Sequence, residues 1–120
     1  MITEQEILKG QECPPEFKKN LEELLKRLNK FRELYGKPLI VNSGYRSPEH
    51  NAKIGGAKNS KHCQVMACDF KDVDGKLKEF CRANDYKVLK DCDLYMEDGT
   101  KTTTWLHLDI FPRKNREFKI

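Results

Sequence analysis

Nowhere does this 120-residue chain hold a run approaching the roughly 20 apolar residues that a membrane span needs. The opening stretch, "MITEQEILKGQECPPEF", likewise lacks the apolar segment of a secretory leader. The expectation is a product that is cytoplasmic as synthesised, with no membrane span. Internal repeats, low-complexity tracts and linker-like segments are missing too, so residues 1–120 read as one domain of the size that supports a single core. The five cysteines (Cys13, Cys63, Cys68, Cys81 and Cys92) form no CxxC pair. An odd count without that spacing argues against a disulfide framework or a cysteine-type zinc site and for reduced, buried thiols.

Charge, by contrast, is plentiful: 35% of the residues are charged and the formal net charge is +4. Such a surface is well solvated and mildly attractive to polyanions, among which nucleic acid, bacterial wall polymers and membranes are not distinguished by charge alone. The basic tail "FPRKNREFK" is the one feature that favours nucleic acid, and runs of this kind are ordinarily solvated faces, so no nucleic-acid partner is expected.

Thr3 and Glu6 have the spacing of a capping box, with Gly10 to stop the short helix it opens. After Pro14 and Pro15, the residues Phe17, Leu21, Leu24, Leu25, Leu28, Phe31 and Leu34 recur at three and four, the signature of one apolar helix face, which Gly36 and Pro38 terminate. "PLIVNSG" reads as a short buried strand. Ser47-Pro48-Glu49 reads as an N-cap with proline at the first helical position, opening one or two turns over "PEHNAKIGG". Gln64 to Phe70 suits a strand and "KLKEFCRAN" a short helix. "YKVLK" and "DLYM" read as strands, "EDGT" as a hairpin turn and "KTTTWLHLDIF" as its return strand. The fold class expected is α+β, a small and mostly antiparallel sheet with helices packed on it.

Alternation on the return strand puts Trp105, His107, Asp109 and Phe111 on one face and Leu106, Leu108 and Ile110 on the other. On the earlier strand Val65, Ala67 and Asp69 share a face. If the two strands are neighbours, Asp69 and His107 meet across them, and His62 reaches back from the preceding loop. Two imidazoles and a carboxylate suit catalytic zinc, because three protein ligands leave a fourth position open for the water that the metal acidifies. The same residues also fit a surface histidine, an ordinary strand histidine and solvated aspartates.

The wider pattern "SGYRSPEHNAKIGGAKNSKH", an alanine and aspartate after it, and then "WLHLD" resembles, in order and spacing, the zinc D-alanyl-D-alanine peptidase superfamily. That group includes VanX-type dipeptidases, phage endolysin peptidases and, more distantly, hedgehog signalling domains; the likeness runs from about Leu39 to Ile110. It implies a hedgehog/DD-peptidase-like fold and makes His62, Asp69 and His107 the zinc ligands. Arg46 falls on the arginine that binds substrate and stabilises the oxyanion, a role that suits a fixed guanidinium. Ser60 and Trp105 fall on motif positions as substrate-binding residues, although a loop serine can equally cap a turn.

Two positions depart from the family pattern. Val65 stands where the family usually has glycine, which suggests a changed backbone or a more crowded pocket. Thr104 stands three residues before the last histidine, where VanX-like members carry the glutamate that handles the proton, and threonine cannot do so at neutral pH. Asp109 is the candidate replacement by alternation, or else a partner that orients a ligand histidine. Glu97 and Asp98 read as a solvated turn, and His50 as an exposed helix residue.

The activity implied is hydrolysis of amide bonds in the stem peptides or cross-links of peptidoglycan by zinc-activated water, in a monomeric metallopeptidase. Carboxypeptidase and endopeptidase action both remain open. A small catalytic domain without a leader fits a phage or prophage lysin that acts at the bacterial wall. The other reading, motivated by Val65 and Thr104, is a non-catalytic module that keeps the zinc and the cleft and only binds wall peptides.

Overall fold

The computed structural model describes residues 1–119. Its elements run α1 (Glu4–Leu8), α2 (Lys18–Tyr35), β1 (Val41–Ser43), α3 (Pro48–Lys53), β2 (Ala67–Lys71), α4 (Lys76–Cys92), β3 (Tyr95–Glu97), β4 (Trp105–Asp109) and β5 (Glu117–Phe118), with single 3-10 turns at Pro15–Phe17 and Lys61–Gln64. The five strands form one sheet in the order β1-β2-β4-β3-β5, antiparallel except for the β3–β5 pair. The architecture is the α+β class expected.

Sequence logic accounts for the helices. Thr3 Oγ1 accepts from the Glu6 backbone N–H while the Glu6 carboxylate accepts from that of Thr3, closing the capping box. On α2, Leu21, Leu24, Leu28 and Phe31 are buried, and Gly36 closes the helix at φ +74°, in the left-handed region that glycine enters without a Cβ clash. Leu34, expected on the same stripe, is 49% exposed. Successive three-residue steps from Leu28 through Phe31 each rotate about 60° short of a full turn, and so carry Leu34 off the apolar stripe.

"YKVLK" is not a strand. It lies in α4, where Val88, Leu89 and Cys92 are all buried; two adjacent buried residues followed by a third one turn later is a helical pattern, not an alternating one. A break over residues 83–86 divides α4, with Ala83 extended and Asn84, Asp85 and Tyr86 all at positive φ. Asn and Asp tolerate that region better than most residues. The Tyr86 hydroxyl donates to Glu117 at 2.7 Å, tying the break to β5.

α2 and α4 contribute Leu24, Leu28, Phe31, Leu77, Cys81 and Leu89 to one buried core with Phe70 of β2, Met96 of β3 and Leu106 and Leu108 of β4. Alternation then sends Asp69 and His107 to the opposite face of the sheet. All five cysteines are free, with Cys68, Cys81 and Cys92 buried; burial pushes the thiols of Cys81 and Cys92 well above their ordinary values, so both stay protonated at neutral pH. No helix among the described residues is long and apolar enough to cross a membrane.

Candidate metal centre

β2 and β4 pair with Asp69 directly opposite His107, and the chain just before β2 turns through Lys61–Gln64 to bring His62 onto the same spot. His107 Nδ1 lies 2.9 Å from Asp69 Oδ1, and His62 Nε2 lies 3.2 Å from that same oxygen. One donor atom from each residue falls within 4.8 Å of the others. The edge of a tetrahedron of ligands about 2.0–2.1 Å from zinc is roughly 3.3 Å, which the two separations to Asp69 Oδ1 already approach, while the two histidine nitrogens lie within 4.8 Å of each other.

The remaining atoms of the two imidazoles are already committed. His62 Nδ1 sits 2.7 Å from the Gly44 carbonyl oxygen, an acceptor, so Nδ1 carries the hydrogen and Nε2 presents its lone pair. His107 Nε2 sits 2.9 Å from Asp109 Oδ2. That division, one ring nitrogen held by a carbonyl or carboxylate and the other aimed at the centre, is how metal-binding histidines are oriented. His62 Nε2 is buried and has no hydrogen-bond partner, an arrangement that is costly unless a cation fills it. The donor set therefore fits a zinc ion.

Backbone features hold this geometry. At Gly44 an added Cβ would run into the Ile7 backbone at the end of α1, and the Gly44 carbonyl is the one that orients His62. Ser60 Oγ accepts from the His62 N–H at 3.2 Å. Val65 has φ +55° and ψ +39°, so the backbone keeps a left-handed conformation that glycine adopts freely and a β-branched residue resists. Its side chain is fully buried in the core and does not line the cleft. The expected crowding of the pocket is not found.

Arg46 follows a one-residue irregularity in the β1–β2 pairing, where Val41 opposes Phe70 but Ser43 opposes Asp69. That extra residue re-aims the strand end. Arg46 Nε then donates to Ser43 Oγ at 3.2 Å and Nη1 to Asn51 Oδ1 at 3.0 Å, leaving Nη2 3.7 Å from Asp69 Oδ2. Asn51 is itself tied to the Ala57 carbonyl, and a Cβ on Gly56 would collide with the Asn51 side-chain oxygen. Both neutral acceptors fix the guanidinium without neutralising it.

These residues open into a cleft of about 640 Å³ lined by Arg46, Ser60, His62, Asp69, Trp105 and His107, with Glu97 on its β3 side. Asp109 is not on its wall. It is completely buried, held between His107 Nε2 and Arg113, whose Nη2 donates to Asp109 Oδ2 at 3.0 Å. Of the two roles open to Asp109, the geometry is that of a partner orienting His107. Thr104 and His50 are exposed and outside the cleft.

Sequence reasoning passed over three residues. Glu97 belongs to β3 and is only 7% exposed, not part of a solvated turn; the alternation of Tyr95 and Glu97 against Leu94 and Met96 in "DLYME" was the available signal. Arg113, read as part of a solvated basic run, bonds Asp109. Asn51 carried no signal beyond its place in the motif.

The electrostatics are strongly coupled. Burial would raise the Asp69 carboxyl, but the hydrogen bond to His107 and the imidazole of His62 close by hold it well below the usual carboxylate range. Burial would lower His107, yet Asp109 and Asp69 on its two nitrogens raise it from 6.5 to about 9. For the metal-free protein the linkage signs follow. His107 contributes stability that is complete below pH 6.5 and is lost as pH rises through about 9. Asp69 contributes stability that is complete above pH 3.8 and is lost on further acidification. Melting curves of the chelated protein are expected to give the highest midpoint between those limits and a decline toward pH 9.

A family model described as Peptidase M15 matches residues 1–109. The chain belongs to that family. No curated protein matches it. Membership of the M15 peptidases makes the chain a metallopeptidase in general terms and points to a peptidoglycan-type substrate, and His62, Asp69 and His107 are the group in this M15 chain that can hold the metal.

Proposed function

We propose that this M15 chain is a zinc-dependent hydrolase of amide bonds in the stem peptides or cross-links of peptidoglycan, acting as one domain at the bacterial wall. The observation that carries the reading is the convergence of His62 Nε2, Asp69 Oδ1 and His107 Nδ1 while the other ring nitrogen of each of the two histidines is engaged. Zinc held by these three would polarise the scissile carbonyl and acidify water. The chain's own groups supply the rest. The Arg46 guanidinium, fixed by Ser43 and Asn51, donates to the oxygen on which negative charge develops or to a substrate carboxylate. Trp105 and Ser60 on the cleft wall contact the peptide, Ser60 with the hydroxyl hydrogen that its bond to the His62 N–H leaves free. Asp109, backed by Arg113, keeps His107 in the tautomer that frees Nδ1.

Asp109→Asn is expected to lower zinc affinity about 10–100-fold while the fold persists, the usual effect of losing an outer partner. Competition with a chelator of known affinity measures it, and unchanged affinity would remove Asp109 from this role.

The functional experiment is to incubate the zinc-loaded protein and its His107→Ala variant with purified peptidoglycan and identify released fragments by mass spectrometry. Soluble stem-peptide or muropeptide fragments from the native protein alone are expected, and the new termini distinguish carboxypeptidase from endopeptidase cleavage. Zinc uptake without any release would instead favour the non-catalytic wall-binding module. A phage or prophage lysin is the setting we infer, on the chain's likeness to phage endolysin peptidases.

A further inference from the structure

We infer that Glu97 is the catalytic carboxylate that moves the proton, supplied from β3 in place of the position occupied by Thr104. This rests on the peptidase reading and names a residue for it. β3 pairs with β4 so that Met96 opposes Leu108, and continuing the register by one residue sets Glu97 across from His107. Asp69 opposes His107 from the other side, on β2. Asp69, His107 and Glu97 therefore form one row across three neighbouring strands, on the face that lines the cleft. Adjacent strands lie about 4.8 Å apart, so the Glu97 backbone sits one strand beyond a ligand, and its side chain lines the same cleft.

Glu97 is also the carboxylate in this region that the structure otherwise leaves without a task. It is 7% exposed, yet among the described residues it accepts no side-chain hydrogen bond and forms no ion pair, whereas Asp69 meets His107 and Arg46, and Asp72 and Asp109 each accept two hydrogen bonds or more. The Glu97 carboxylate oxygens are not among the buried polar atoms left without a partner, so they meet water, and a mostly buried carboxylate open to water beside a cleft is placed for proton transfer. Glu97 shares the cleft wall with His62, Asp69 and His107. It is not one of the three residues whose donor atoms cluster for a metal, which separates it from the ligands.

In the reaction, water adds to the carbonyl carbon of the scissile amide and its proton passes to a Glu97 carboxylate oxygen. When the C–N bond breaks, Glu97 returns that proton to the leaving nitrogen, and the acid formed loses its own proton to the amine, giving a carboxylate and an ammonium. Threonine at 104 is exposed, with its carbonyl bonded to the Asp72 N–H, and takes no part.

The test compares wild type, Glu97→Gln and Glu97→Ala for peptidoglycan turnover, zinc content and zinc affinity. Glu97→Gln should keep one zinc with unchanged affinity and lose about 10²–10⁴-fold in kcat, with KM little altered. Added formate should restore part of the rate to Glu97→Ala and none to wild type, which a purely structural role would not produce. Wild-type turnover matched within about threefold by Glu97→Gln, or loss of zinc from that variant, would overturn the assignment alone, since proton transfer contributes at least about 100-fold. An inactive wild type would instead overturn the peptidase reading and Glu97's role with it.

Discussion

His107→Ala is expected to abolish zinc uptake and hydrolysis together. The ring presents Nδ1 to the centre and holds Asp109 through Nε2, so its loss removes a ligand and a buried contact at once. Zinc affinity should fall well beyond the roughly 10–100-fold foreseen for Asp109→Asn, because a ligand is deleted and not merely reoriented. Stability of the metal-free form should also drop, by about 1–3 kcal/mol, as Asp69 and Asp109 each lose a hydrogen bond in a buried setting. The drop is limited because Asp69 retains His62 and Arg46 and Asp109 retains Arg113. His62→Ala serves as the control: it deletes a ligand while leaving the Asp69–His107–Asp109 chain intact. Loss of zinc in both variants, with folded melting curves, supports the shared centre; full zinc occupancy in either removes that residue from it.

Arg46→Ala should leave zinc content unchanged and lower kcat/KM by about 10²–10³-fold, the range measured when one oxyanion donor is removed. Arg46→Lys should recover little of this. The present arrangement uses Nε and Nη1 to fix the guanidinium plane on Ser43 and Asn51 while Nη2 faces the centre, and an ammonium has no such fork. Asn51→Ala then provides a graded intermediate, since it frees the guanidinium without removing it. Steady-state kinetics on one soluble stem peptide separate the cases, and a kcat/KM within threefold of wild type for Arg46→Ala would show that the residue only tethers the loop.

How much of this was legible in the chain depends on how local the determinants are. The α2 stripe as far as Phe31, the Thr3 capping box and the Ser47 N-cap are written in spacings of three and four and form as read. Period two on β2 and β4 was enough to put Asp69 and His107 on one face, and the register makes them direct partners. Where neighbouring elements decide, local pattern failed. Val88 and Leu89 sit in a short β-branched and aliphatic stretch that reads as a strand until the core claims both of them on a helix. Glu97 followed by Asp98-Gly99 looks like a turn, yet β4 and β5 flank β3 on both sides and draw Glu97 into the sheet. Glu117 was hidden in a charge run because its partner, Arg82, lies on α4, far along the chain, and Arg113 because its partner, Asp109, lies four residues earlier in β4, outside the run itself. Val65 shows the opposite limit: the left-handed turn before β2 persists even with a residue that disfavours it, because the core fills the space its side chain occupies.

The most direct measurement is X-ray absorption on chelated protein reloaded with one equivalent of zinc. Two imidazole nitrogens at about 2.0–2.1 Å with oxygen completing the shell is the result expected of His62, Asp69 and His107 with a position left to water. A sulfur neighbour at about 2.3 Å would place the metal on one or more of the five cysteines, and would contradict the centre described.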